Sequence, residues 1–492
     1  MKVLLYIFGL LVFSFGTHGD SIYQFPDDFL FGTAAAAYQN EGAWNVSGKG
    51  PSIWDTFTHL HSEFVVDHSN GDVACDAYHK FKEDVQILKE LGVKFYRFSI
   101  AWTRIFPTGL PHNPNADGIA FYNALLDELQ KNSIIPMVTI FHWDVPQPLQ
   151  NLGGFMNPKM IDYYIEYARV AFENFGDRVR YWITFNEPKQ FCQEGHGEAY
   201  YAPALNMSGV ADYLCGHNLL RSHAAAYHLY NDIYRPLFGG EIGITLNGLW
   251  FEPSNPQEEE AAERMRQFYL GWWAHPIFTA EGDYPPVMKE YIAKRSAQQG
   301  FRWSRLPEFT AEEVEYIKGS ADFLGFNHYS TFLAANAEND DLTISFANDH
   351  QVKTFLDPSW PKGASSWLSV VPWGFRKFLK WLRDSYDNPY IVVTENGYSD
   401  LGQIHDAERV SYYGQYLEAL LQAIYEDNVS VIAYAAWTLM DNFEWFDGYK
   451  SRFGLYYVDF SSPNRPRIAK DSARFYKYVI GNNTVVPYKK VN

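Results

Sequence analysis

The 492-residue chain has little of what several function classes require. It has three cysteines, Cys75, Cys192 and Cys215, too few for a disulfide scaffold and without the paired spacing of a zinc site. Cys192 and Cys215 either pair in an oxidising compartment, leaving Cys75 alone, or stay as thiols. No Lys/Arg cluster is present, and 40 basic against 58 acidic side chains leave a formal charge of −18. That balance argues against a nucleic-acid or anionic-membrane partner, which needs a basic footprint. No His/Asp/Glu cluster has ligand spacing, so neither a metal nor a cofactor is expected. Short repeats, low-complexity tracts and Pro/Gly linkers are also missing, so residues 20–485 read as one domain, followed by a tail over 486–492. The one long apolar run, Val3 to Phe15, follows Lys2 and leads to Gly16, Thr17 and Gly19. This is the layout of a signal peptide over residues 1–19; a membrane span needs about twenty apolar residues, and Gly9 and Ser14 interrupt this shorter run. Sequons at Asn45, Asn206, Asn428 and Asn482 fit a secreted glycoprotein without membrane contact after cleavage.

What the chain does have is apolar and aromatic content, 47% and 18% of its residues. Such a chain buries a large core and has rings left to line a site. Pyranose C–H faces pack on such rings while hydroxyls reach polar groups. Short apolar or β-branched runs recur at Leu30 to Ala35, Val93 to Ile100, Ile134 to Phe141, Tyr181 to Phe185, Ile242 to Leu246, Phe323 to Phe326, Tyr390 to Thr394 and Val431 to Trp437. Between them lie helical periodicities, such as Cys75 to Leu91, Ala120 to Gln130, Pro158 to Phe175 and Ser411 to Tyr425. Eight strands alternating with helices predict the α/β class and a closed (β/α)8 TIM barrel, a single domain with long βα loops. A doubly wound sheet fits the same alternation. In a barrel, chemistry sits at the C-terminal ends of the strands.

Two strand ends carry a carboxylate. The fourth run ends in Phe185-Asn186-Glu187-Pro188 and the seventh in Thr394-Glu395-Asn396-Gly397. Two carboxyls facing each other across a glycosidic bond are what acetal hydrolysis needs, one to protonate the leaving oxygen and one to attack or stabilise the oxocarbenium-like carbon. Either Glu alone reads equally well as a loop residue or a helix cap.

With these motifs the chain resembles glycoside hydrolase family 1, the β-glucosidases and their relatives, over almost the whole mature length. Further matches are Tyr38-Gln39 with Glu41-Gly42, Tyr96-Arg97-Phe98-Ser99, Phe141-His142-Trp143-Asp144, Phe326-Asn327-His328-Tyr329, Ala436 through Trp445, and Arg452-Phe453-Gly454-Leu455. The resemblance implies a retaining double displacement with Glu395 as nucleophile and Glu187 as acid/base, their carboxyls about 5 to 5.5 Å apart. It implies that Arg97 and Tyr329 hold the nucleophile ionised. Gln39, His142, Asn186, Asn327, Tyr329, Glu444 and Trp445 would contact the sugar, Trp437 would form the floor, and Trp367 would stack on the aglycone. A negative Glu444 would disfavour a 6-phosphate. The expected substrate is a small β-glucoside or oligosaccharide, with fucosides and galactosides as further candidates.

Two other readings stay open. A thioglucosidase of the same fold, acting on glucosinolates, would need a cation near the sulfated aglycone. Gln193 and Phe332 stand where such a cation would help, and Lys189 is the nearest candidate; plant enzymes of that type carry Gln at the acid/base position, whereas Glu187 is retained here. A non-catalytic sugar-binding relative would have lost a carboxylate, and both are present.

Overall fold

Residues 23–337 and 341–485 are described by a computed structural model; the signal-peptide segment and the 486–492 tail lie outside them. Eight parallel strands close on themselves: β1 (Leu30–Ala34), β2 (Phe95–Ser99), β3 (Ile135–Phe141), β4 (Tyr181–Asn186), β5 (Glu241–Asn247), β6 (Leu324–Asn327), β7 (Ile391–Asn396) and β8 (Val431–Ala436). Each bonds its sequence neighbour, and β1 bonds both β2 and β8. Closure removes the open edges of a doubly wound sheet, so the barrel reading holds. Every expected strand lies within two residues of the observed one.

Parallel neighbours require crossovers, and these are α1 (Ala77–Leu91), α2 (Ala116–Lys131), α3 (Met160–Phe175), α4 (Ala211–Leu229), α5 (Pro286–Gln298) with shorter helices around it, α6 (Pro372–Ser385) and α7 (Ala407–Tyr425), with α8 (Asp471–Asn482) following the last strand. Helix α1 stops at Gly92, whose φ of +85° suits glycine and whose N–H caps the carbonyls of Leu88 and Lys89. Helix α7 starts four residues before its apolar periodicity predicts. Its first turn carries Arg409, charged yet fully buried, with its guanidinium on Asp406 and on the carbonyls of Tyr398 and Arg452. A hydropathy pattern assigns such a residue to the surface.

A long segment follows β6. Part of it forms a strand, Thr331–Asn336, paired in parallel with Trp250–Pro253 and antiparallel with Val352–Phe355. This small sheet stands beside the barrel mouth and brings Phe332 to the cavity rim.

Register shifts fall near the C-terminal ends of two strands, between Ile183 and Asn186 on β4 and between Val393 and Glu395 or Asn396 on β7, and one more lies at the start of β7 between Ile391 and Val392. A bulge re-aims the residue that follows it. Here those residues carry Asn186 with Glu187, and Glu395. Beyond Glu187, Cys192 is disulfide-bonded to Cys215 on α4, which resolves the open pairing; Cys75 is a buried thiol donating to the Asp441 carbonyl. Among the described residues no helix is long and apolar enough to cross a membrane, and no group of three or more His, Cys, Asp or Glu side chains could hold a metal.

Candidate active site

A cavity of about 590 Å³ opens at the C-terminal mouth of the barrel, lined by aromatic rings and carboxyls, with Glu187 and Glu395 both in its wall. Glu187 leaves β4 at φ +46°, and its N–H stays bonded to the Thr245 carbonyl of β5 at 2.9 Å. One carboxyl oxygen, Oε1, accepts the amides of Asn327 (2.7 Å) and Asn247 (3.2 Å). No cation touches it.

Glu395 is held differently. Its Oε1 accepts Arg97 Nη1 at 2.5 Å and its Oε2 accepts the Tyr329 hydroxyl at 2.7 Å. The same guanidinium donates to the Thr394 carbonyl and, through Nη2, to Asn186 Oδ1 at 2.5 Å. Thus Arg97, from β2, fixes the nucleophile candidate and the residue before Glu187 at once. Asn327 was expected among the sugar contacts, and the structure commits its amide to neighbouring side chains. It is fully buried behind the carboxyl pair, donating to Glu187 and Asn186 and accepting from Thr394 Oγ1 at 2.7 Å. Its place in the site is that of a positioning residue.

These surroundings separate two carboxyls that share one buried site. Burial, then the charge of Glu395, pushes Glu187 up to about 8, against the pull of its amide partners and the more distant Arg97. Burial also raises Glu395, but Arg97 and the Tyr329 hydroxyl oppose it through direct contact. A single proton on the pair therefore rests on Glu187. Burial and the charges of Asp447, Glu395 and Glu187 raise Glu444 well above the usual carboxylate range.

The expected sugar contacts Gln39, His142, Asn186, Trp437, Glu444 and Trp445 gather around the same cavity. Gln39 Nε2 donates to the Phe443 carbonyl at 2.9 Å and to Glu444 Oε2 at 3.4 Å, tying β1 to the loop after β8. The hydrogen-bond network assigns the His142 tautomer. Asn186 Oδ1 already accepts Arg97 and Asn327, so its NH₂ faces His142 Nε2 at 3.0 Å. That nitrogen accepts, and the proton sits on Nδ1, which has no protein partner. Burial and Arg97 lower the His142 pKa well below its usual value, keeping the ring neutral. The imidazole lies nearly parallel to Trp437 and Trp445, with ring centroids 6.2 and 6.0 Å away.

On the opposite side, half-buried Trp367 stands edge-on to Tyr329 at 5.7 Å and nearly parallel to Phe453. Lys189 has its ammonium 3.2 Å from Glu194 and 4.3 Å over the Tyr269 ring. Sequence reasoning missed Asn247, Tyr269, Glu194 and Glu198 in this wall. Asn247 ends β5 at the face where polar strand ends matter, a signal that would have found it. Glu194 and Tyr269 lie on helical segments and Glu198 just past the first of these, and only the tertiary fold brings them to the cavity.

Residues 21–485 match the model of glycosyl hydrolase family 1. Myrosinase 1 of Brevicoryne brassicae is 48% identical over 462 residues, which are 93% of this chain and 98% of that protein. The cytosolic beta-glucosidase of Cavia porcellus is 42% identical over 464 residues, 93% of this chain and 98% of that protein. Among solved structures, aphid myrosinase superposes with a TM-score of 0.90 at 48% identity, covering 94% of this chain and all of that one. The barrel, the carboxyl pair at its mouth and a match along nearly the whole chain lead to one statement: this protein belongs to glycosyl hydrolase family 1.

Proposed function

We propose that the protein is a secreted, retaining β-glucosidase that removes terminal non-reducing β-D-glucosyl residues from O-glycosides, with fucosides and galactosides as further substrates. The observation that carries this reading is the asymmetry of the carboxyl pair. Glu395, bonded to Arg97 and Tyr329, is the anionic partner and attacks the anomeric carbon; Glu187, raised to about 8, is the protonated partner and gives its proton to the departing oxygen. Glycosylation neutralises Glu395 and so removes one of the causes that hold Glu187 up. Its pKa then falls, and Glu187 takes a proton from the attacking water while Glu395 leaves the sugar. Gln39, His142 and Glu444 bind hydroxyls over the Trp437 ring, with Trp445 beside them.

The test is hydrolysis of 4-nitrophenyl β-D-glucoside by wild type, Glu187→Gln and Glu395→Gln. Wild type should turn over, Glu395→Gln should lose at least about a thousandfold in kcat/KM, and Glu187→Gln should lose at least about a hundredfold in kcat, which azide restores on this activated substrate. Turnover by Glu395→Gln at the wild-type rate would sink the reading.

The similarity to aphid myrosinase, in sequence and in structure, favours a second reading, a thioglucosidase acting on glucosinolates. Against it, Lys189 is already engaged by Glu194 and Tyr269, which leaves little positive field for a sulfated aglycone. A glucosinolate assayed beside the O-glucoside separates the two. Secretion is supported by the N-terminal leader, by exposure of Asn45, Asn206, Asn428 and Asn482, and by the Cys192–Cys215 bond. Expression with its own leader in a eukaryotic cell should put the chain in the medium, with a mass that drops on peptide-N-glycosidase treatment.

A further inference from the structure

The leaving-group half of the cavity is built of hydrogen-bond acceptors. Glu194 and Glu198 both line it, and the Lys189 ammonium between them is consumed by Glu194 at 3.2 Å and by the Tyr269 face. Gln190, 8% exposed and also in this wall, gives its NH₂ to the Tyr269 hydroxyl, and its carbonyl oxygen has no protein partner. Asn247 repeats the pattern, its NH₂ on Glu187 and its carbonyl oxygen without a partner. Two carboxyls face one ammonium, so this half of the cavity carries a net negative charge beside unused carbonyl acceptors. Phe332, Trp367 and Leu249 form the apolar walls around them.

Resting on the glucosidase reading, we propose that Glu194 and Glu198 are specificity-determining residues, which select aglycones with an aromatic body and a hydrogen-bond donor at its far end, a hydroxyl or an ammonium, and reject anionic ones. The rings hold the body by face and edge contacts. A donor at the far end meets the acceptors that the protein leaves unpaired, whereas a carboxylate or sulfate meets only like charge. Burial raises the pKa of Glu198, and Lys189 opposes that rise, as expected for a carboxyl partly removed from water beside a cation that it shares with Glu194.

The experiment compares kcat/KM for 4-(aminomethyl)phenyl and 4-(carboxymethyl)phenyl β-D-glucosides, in which a methylene insulates the leaving phenol from the charge. Neutral 4-nitrophenyl β-D-glucoside is run beside them. At low salt the ammonium substrate should lead the carboxylate by about tenfold or more. The ratio should shrink in 0.5 M salt and in Glu194→Gln and Glu198→Gln; because it is taken within each variant, any general loss of activity cancels. A carboxylate substrate handled as well as the ammonium one, or a ratio unchanged in both variants, overturns the proposal. If 4-nitrophenyl glucoside turns over while the charged pair is handled equally, only this inference falls; if it is not cleaved at all, the glucosidase reading falls with it.

Discussion

Arg97 binds Glu395 and Asn186 with two nitrogens of one guanidinium, each at 2.5 Å, so a residue on β2 locks the ends of β7 and β4 together. The ion pair is almost fully buried, with side chains 1% and 5% exposed. A planar fork does this; a point charge does not. Arg97→Lys should keep the charge and still lose about a hundredfold in kcat/KM. Arg97→Met should lose more, and because Arg97 pulls the Glu395 pKa down, the acidic limb of the pH profile should move to higher pH. A profile that drops in height without moving would separate Arg97 from the charge of Glu395.

The basic limb of kcat/KM should fall with an apparent pKa near 8, set by the Glu187–Glu395 pair in the free enzyme. Removing the Glu395 charge in Glu395→Gln should lower the Glu187 pKa, since that charge is the second cause of its rise. Carboxyl titration followed by ¹³C NMR on selectively labelled glutamate reads this directly. An unchanged Glu187 would mean that burial alone sets it.

Asn327→Ala removes the shorter of the two amide bonds to Glu187. That bond favours the ionised form, so its loss should move the basic limb to higher pH and lower kcat more than it raises KM. A pure rise in KM would instead return Asn327 to the sugar contacts.

Glu187 should also cost stability as the pH rises. Its folded pKa, about 8, lies above the ordinary glutamate value of 4.5. Below both values folded and unfolded chains are protonated alike. Between them the unfolded chain ionises and the folded one does not, so stability declines with pH until the folded pKa is passed. Glu187→Gln removes this slope. Its Tm advantage over wild type should grow from pH 5 to pH 8, corresponding to a few kcal/mol at most, and equal Tm differences at both pH values would contradict the assignment.

The Cys192–Cys215 bond closes a 23-residue separation between the segment after Glu187 and α4. Cys215→Ser should lower stability by about 2–4 kcal/mol, measured by urea denaturation of folded variant and wild type. A change under about 0.5 kcal/mol would show that packing alone holds this segment.

The sequence by itself determined the alternation of eight strands with helices and the two strand ends that carry carboxylates, while closure into a barrel rather than a doubly wound sheet was decided by the tertiary structure. Alternating short apolar runs and helical periods are local signals, and they survive into the structure because parallel strands admit only crossover connections. Two motifs at strand ends located Glu187 and Glu395, because a barrel brings every strand end to one face. Tertiary structure decided what depends on partners far along the chain. It bonded Asn327 to Glu187, buried Arg409 in the start of α7, joined Cys192 to Cys215 and closed Glu194 and Tyr269 around Lys189. The physical reason is the same in each case. Hydrophobic periodicity reports which face of an element is apolar, whereas the fate of a polar or charged side chain is set by the groups that replace its water. Those groups, 140 residues apart for Asn327 and Glu187 and 298 apart for Arg97 and Glu395, meet only when the barrel has closed.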